Sequence, residues 1–266
     1  KTRPRAAQTV LEFLAQEGPT TSAALCRAGG FSQPTFSRMV RALGDALFVT
    51  GRARATRYAL PRTIPGVDAP IPVHEVRPTG LDPRRVLLLH PVMPGGFWVE
   101  VLGGGGSYVE DLPWFLQDLR PAGFLGRRVP LRHPDLDVPR DIRRWSADHL
   151  LRYVTLHGWD LPGAFLVGDT SYGTWLEQAD GPENIVDASD RRARYPSIAG
   201  DALDFGAPGS SAAGEQPKFL ATRRDTGSLV PVLVKFSPPG DDVVSRRVSD
   251  LLVAEHLALG TLRDHG

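Results

Sequence analysis

Residues 209–236 constrain this chain more than any other stretch, reading GSSAAGEQPKF, then LATRRDTGSLV, then PVLVKF. A small-residue loop runs into a strand that begins at Lys218, a turn follows at Asp225-Thr226-Gly227-Ser228, and a second apolar strand ends at Lys235. Two short apolar runs around a glycine-containing turn fold as a β-hairpin. Small residues let backbone N–H groups approach an anion, and a lysine beyond them supplies its counter-charge. Two readings follow: a hairpin with incidental surface lysines, or a nucleotide-phosphate site.

Composition sharpens the second. Of 31 basic residues only Lys1, Lys218 and Lys235 are lysine, so a chain that otherwise writes arginine keeps lysine at two places in one unit. An ammonium is a compact point charge suited to a phosphate in a backbone cradle, whereas arginine is a planar fork.

Ser211-Ala212-Ala213-Gly214-Glu215-Gln216-Pro217-Lys218, Val232-Leu233-Val234-Lys235 and the helical stretch ending Ala254-Glu255-His256-Leu257-Ala258-Leu259-Gly260 together resemble the HipA family of bacterial serine/threonine kinases. Members of that family are toxins of toxin–antitoxin systems. The combination with a DNA-binding module ahead of the kinase is similar to the YjjJ-like branch. The resemblance implies an α+β chain whose second part is the amino-terminal lobe of a HipA-like kinase. It implies ATP as cofactor, bound by Ser211, Ala212, Ala213, Gly214, Glu215, Gln216, Lys218 and Lys235. Lys235 would hold the α/β-phosphates, as the strand lysine does in kinases, with an acid from the following helix fixing it. Asp250 and Glu255 both qualify as that acid. Ser211 matches the loop serine that becomes autophosphorylated in the family.

The chain has 266 residues, 41% hydrophobic and 23% charged, an ordinary globular composition long enough for two domains. The single Cys26 excludes an intrachain disulfide and fits a reducing compartment. No apolar run approaches the roughly 20 residues of a membrane span, and the arginine-rich start lacks a signal-peptide core. These features lead us to expect a soluble cytoplasmic protein.

Residues 1–62 hold ten basic groups against Glu12, Glu17 and Asp45, about +7, which leaves about −6 for the rest of a chain of net +1. The apolar spacing predicts a helix over Ala7 to Gln16, stopped at Gly18-Pro19, and a second from a Thr20 or Thr21 cap through Cys26 to Gly29-Gly30. Ser32 can cap a third helix with Pro34 in its first turn. Phe36, Val40 and Leu43 then face the core, while Gln33, Ser37 and Arg41, with Thr35 and Arg38 beside them, form a polar face of the kind a DNA recognition helix presents. Two strands, Ala46 to Thr50 and Thr56 to Leu60, would follow around a tip bearing Arg52 and Arg54, with Arg57 beyond. This order predicts a winged helix-turn-helix over 1–62 that binds double-stranded operator DNA and is open to homodimerisation. A helical protein-interaction module with a solvated arginine face is the alternative.

The prolines between residues 61 and 83 exclude regular helix and predict a semi-rigid linker over 63–83, with the kinase-like lobe at 84–266. Arg85 to His90 and Gly96 to Leu102 read as strands, and Gly103 to Gly106 as a hairpin turn, since no Gly-Lys-Ser or Gly-Lys-Thr follows. His133-Pro134-Asp135 precedes the lysine strand and reads as a connector. A helix capped by Ser146 should bury Leu150, Leu151 and Val154 and close at Gly158. No cluster completes a metal site around His149 or His157. Residues 168–209 lack a clear period and read as a long loop. Asp241-Asp242 precede a last helix.

In the HipA family the catalytic aspartate, the metal-binding aspartate and the adenine-binding hinge lie beyond the equivalent of that last helix. The resemblance therefore implies an N-terminal fragment, in keeping with a start at Lys1, and places the ligands of the accompanying Mg2+ beyond residue 266. It implies a protein serine or threonine as substrate, with an aminoacyl-tRNA synthetase as the family's example. Pro217 stands where the family commonly has an acid. That departure keeps open a DNA-binding regulator with a degenerate or structural kinase lobe, or an interaction scaffold that binds neither ligand.

Overall fold

A computed structural model describes residues 5–76, 83–161, 163–179, 185–204, 216–225 and 228–265. In chain order they form α1 (Arg5–Glu17), α2 (Ser22–Gly29), α3 (Gln33–Leu43), β1 (Phe48–Thr50), β2 (Arg57–Ala59), β3 (Ile71–Glu75), β4 (Arg84–Val92), β5 (Gly96–Val101) and β6 (Gly106–Val109). Then come α4 (Trp114–Gln117), α5 (Gly123–Gly126), α6 (Val129–Arg132), α7 (Ala147–His157), β7 (Phe165–Val167) and α8 (Asp169–Ala179). The chain continues through β8 (Ile185–Asp187), α9 (Arg191–Asp204), β9 (Lys218–Asp225), β10 (Ser228–Lys235) and α10 (Val243–His265). The fold is mixed α+β, and among the described residues no helix is long and apolar enough to cross a membrane. Two compact units divide it: 1–119 with 146–175, and 120–145 with 176–266.

In the first unit α1, α2 and α3 close around Val10, Leu11, Leu14, Leu25, Phe36 and Leu47, with Val40, Leu43 and Tyr58 packed against them. Their ends are set locally. Gly18 takes φ +76 after α1, and Thr21 rather than Thr20 caps α2 by accepting from the Ala24 amide. Thr20 instead exchanges backbone hydrogen bonds with Tyr58 on β2, at 3.0 and 2.8 Å. β1 and β2 pair antiparallel, Phe48 opposite Ala59.

Five antiparallel strands in the order β6-β5-β4-β3-β7 make the sheet of this unit. The stretch expected to be a linker contains β3, which lies between β4 and β7 with Ile71 and Val73 fully buried. Proline excludes helix but not strand, and the alternation of Ile71 and Val73 is a period-two signal that the proline density hid. Gly103 to Gly105 lie in the β5–β6 connection, where the Val101 amide donates to the Gly105 carbonyl at 3.0 Å, and Gly106 already begins β6.

α7 buries Leu150, Leu151 and Val154, as its spacing predicted. Ser146 accepts from the His149 amide, and the His149 ring accepts from the Ser146 amide at 3.1 Å, a reciprocal capping box. Ser146→Ala should therefore lower the unfolding free energy by about 1 kcal/mol in denaturant titration.

His74, on β3, is 7% exposed and stacks on Tyr172 of α8 with ring centroids 4.1 Å apart. Burial pushes its imidazole pKa below the ordinary value; Asp169 opposes the shift and Arg85 adds to it. As pH falls below the ordinary imidazole pKa of about 6.5, the unfolded chain takes up this proton before the folded one, so stability drops with acidification until the folded pKa is passed. Melting temperature should fall between pH 7 and pH 5, and His74→Phe should flatten that slope.

In the second unit β10, β9 and β8 form a three-stranded sheet, β9–β10 antiparallel and β8–β9 parallel. α9 covers one face through Ala202, Tyr195, Ile198 and Ala199 against Phe219, Ala221, Val232 and Val234. Residues 168–209, expected to be a loop, thus include α8, β8 and α9. Gly173, Pro196 and Gly200 interrupt the helical patterns there, and tertiary packing overrides them.

Candidate functional site

The β9–β10 register places Lys235 opposite Lys218 and Leu233 opposite Leu220. Directly opposed residues of an antiparallel pair point to one face. Phe219, Ala221, Val232 and Val234 turn inward to α9, so the two lysines and the two leucines share the other face. Leu220 and Leu233 are each 49% exposed there. The hairpin is continued at its base by a hydrogen bond from the Phe236 amide to the Pro217 carbonyl, 3.0 Å. Pro217 removes a donor from the loop, but its carbonyl still serves the strand pair.

α10 is launched by Asp242, which accepts from the Val244 amide at 2.9 Å and the Ser245 amide at 3.1 Å. Its carboxyl is held below the usual carboxylate range, first by the Ser245 hydroxyl and then by these amides. Three turns on, Glu255 meets the Lys235 ammonium in a hydrogen-bonded ion pair. Asp250, the other candidate, stands roughly 140° away around the helix, on a face with Arg246 and Arg247. Side-chain exposures of 32% and 40% leave the Lys235–Glu255 pair largely in water, so it contributes at most about 1 kcal/mol to stability. Its consequence is positional: the ammonium is fixed on the open face, beside the Lys218 position.

Lys218 begins β9 on this face and Gln216 is half-buried two residues before it, whereas Ser211, Ala212, Ala213, Gly214 and Glu215 lie outside the described residues. Sequence reasoning missed Leu220 and Leu233. Every residue of Val232-Leu233-Val234 is apolar, so only the register tells which one faces outward.

The basic residues of the first unit are arranged differently. Gln33 begins α3 and accepts from the Cys26 thiol at 3.4 Å; Arg38 and Arg41 are exposed, and Thr35 and Ser37 half-buried, on the same helix. Arg52 and Arg54 are exposed on the β1–β2 connection. Gly51 there has φ +79, and a Cβ would lie 2.5 Å from the Ala55 carbonyl oxygen, so glycine is required for the turn. Arg57 folds back and donates to the carbonyls of Arg54 and Thr56 at 3.4 and 3.2 Å. It braces the turn, while Arg52 and Arg54 extend from it.

Residues 67–176 match the family described as YjjJ-like toxin, middle domain, a stretch that runs from just before β3 into α8. Over 257 residues, 96% of this chain, the sequence is 37% identical to Toxin YjjJ of Escherichia coli (strain K12). The chain spans 57% of that relative's length. No solved structure matches it.

Proposed function

We propose that this chain is part of a HipA-like toxin of a toxin–antitoxin system, an ATP-dependent serine/threonine protein kinase that carries its own winged helix-turn-helix. The Lys235–Glu255 ion pair, on the hairpin face that also bears Lys218, carries this reading. The similarity to Toxin YjjJ supports the toxin assignment.

The donor set fits ATP. Lys235, held by Glu255, binds the α/β-phosphates; Lys218 adds positive charge; the exposed Leu220 and Leu233 offer an apolar surface to the base. ATP supplies the transferable phosphoryl group, together with Mg2+, and positioning and charge stabilisation are what these side chains contribute. The small residues of 211–214, which lie outside the described residues, would supply backbone amides to the phosphates. A phosphate on the Ser211 hydroxyl would add up to about two negative charges to that loop and repel ATP, which makes autophosphorylation self-inactivating. The substrate is a protein serine or threonine, with an aminoacyl-tRNA synthetase as the first to assay.

Gln33, Thr35, Ser37, Arg38 and Arg41 on α3 and Arg52 and Arg54 on the hairpin form the DNA surface, with Arg57 supporting it by bracing the turn, and an operator duplex is the partner. Arg41→Ala should weaken binding evenly across duplex sequences and reduce the slope of log K against log salt by about one, read by fluorescence anisotropy. An unchanged slope would remove Arg41 from the interface. Nucleotide binding is tested with a fluorescent ATP analogue. Saturable binding that Leu233→Glu abolishes supports the site, and binding unaffected by Leu233→Glu and Lys235→Ala together places it elsewhere.

A further inference from the structure

The segment just after β2 is bonded to the sheet of the same unit. The Leu60 carbonyl accepts from the Met93 amide at 2.8 Å, the Arg62 amide donates to the Pro91 carbonyl at 3.1 Å, and Pro61 bridges Val92 in antiparallel fashion. A sheet-like backbone clamp therefore stands where a tether would begin.

Side chains complete the joint. The Arg62 guanidinium donates from one terminal nitrogen to both Asp148 oxygens, each at 2.8 Å, and from the other to the Gly95 carbonyl at 3.2 Å. Its carbon lies 4.9 Å from the Phe97 ring centroid, and the side chain is only 11% exposed. Asp148 lies in the first turn of α7, where a carboxylate is favoured by the helix dipole. One arginine thus joins the end of β2, the β4–β5 connection, β5 and α7. A second contact lies at β1, where Phe48 packs on His90 at 4.5 Å and Trp98 at 6.3 Å between centroids. His90 is itself held by Glu100 at 2.8 Å. Gly18, after α1, forms a third, its Cα hydrogen side facing the Met93 carbonyl and Pro94 so closely that a Cβ would lie 3.3 Å from both.

We propose that Arg62 is a positioning residue which locks the α1–α3 and β1–β2 module to the five-stranded sheet, so that the DNA-reading face and that sheet move as one body. The inference rests on the DNA-binding reading of α3 and the β1–β2 connection. Its consequence is that a duplex bound there meets the sheet at one fixed angle. Any change at the Pro91–Phe97 connection or the start of α7 reaches the DNA surface through the Arg62–Asp148 bond rather than being absorbed by a flexible tether.

The test uses the full chain. Backbone 15N relaxation without DNA should give one rotational correlation time for residues 5–62 and for the sheet and helix α7 of the same unit, residues 71–76, 83–119 and 146–161. Arg62→Ala combined with Phe48→Ala should shorten the time for residues 5–59 alone, while Arg62→Lys, which keeps the charge but not the fork, should fall between. Two distinct correlation times in the wild type would overturn the proposal, as would a single time retained by the double variant with a native melting transition. With DNA, the distance between a spin label on the duplex end and one at Ser107 should be narrowly distributed in the wild type and broad in Arg62→Ala. An equally broad wild-type distribution would overturn the fixed angle. Failure of the wild type to bind any duplex would instead overturn the DNA reading and the functional part of this inference, with the single correlation time intact.

Discussion

Lys235→Ala in the full-length protein should slow phosphoryl transfer from ATP by about 10²- to 10³-fold, because it removes a preorganised positive charge from the transferring phosphates. Glu255→Gln should have a smaller effect in the same direction, since the ammonium remains but loses the carboxylate that fixes it. The two losses should not add. Once the ammonium is gone, Glu255 has nothing on the hairpin to hold, so the double variant should resemble Lys235→Ala. Initial rates at saturating ATP, measured on all four proteins, give this cycle directly. Fully additive losses would mean that Glu255 acts elsewhere than through Lys235. The pair contributes little to stability, so melting temperatures should stay within a few degrees and separate a chemical defect from unfolding.

The second large effect concerns the N-terminal module. Phe36, 1% exposed, packs edge-on to Tyr58 at 4.9 Å and stacks with Phe31 at 6.3 Å, at the centre of a cluster drawn from all three helices and β1–β2. Phe36→Ala should destabilise the module by about 3–5 kcal/mol, the lost transfer energy plus the cavity left behind. A core this small has few alternatives with which to refill the space. Native-state hydrogen exchange should show residues 7–60 losing protection, and duplex binding should disappear with it. Retained protection there would show that the helices are held chiefly by their contacts with the sheet.

The elements that were legible in the sequence are those in which local pattern and tertiary placement agree. α3 and α7 carry clean apolar spacing and closing glycines and lie where those signals put them; Ser146 caps α7 as expected, whereas the Ser32 hydroxyl at the start of α3 pairs with the Thr35 hydroxyl at 3.0 Å and caps no backbone amide. The β9–β10 hairpin was legible because its turn and its two lysines punctuate two apolar runs. α9 was hidden by Pro196 and Gly200, which argue against a helix interior locally while Tyr195, Ile198 and Ala199 still reach the sheet. β3 was hidden by Pro70 and Pro72, although its burial comes from lying between two strands that sequence alone could not pair with it.

The site was half legible for the same reason. Lysine scarcity pointed to Lys218 and Lys235 before any geometry, because rarity is visible in one sequence. The choice of Glu255 over Asp250 depends on which side of α10 meets the hairpin, and the outward direction of Leu220 and Leu233 depends on strand register. Both are properties of packing between segments twenty residues or so apart. The roles of Arg57 and Arg62 were likewise beyond reach: both read as basic residues of a DNA module, yet one braces a turn and the other a joint.

The measurement that tests the central claim most directly is phosphopeptide mapping of the full-length protein after incubation with labelled ATP and Mg2+, wild type beside Lys235→Ala. Label at Ser211 in the wild type and none in the variant is the predicted result. Label of equal intensity in both proteins would contradict a Lys235-dependent kinase, and none in either would leave a DNA-binding regulator with a silent lobe.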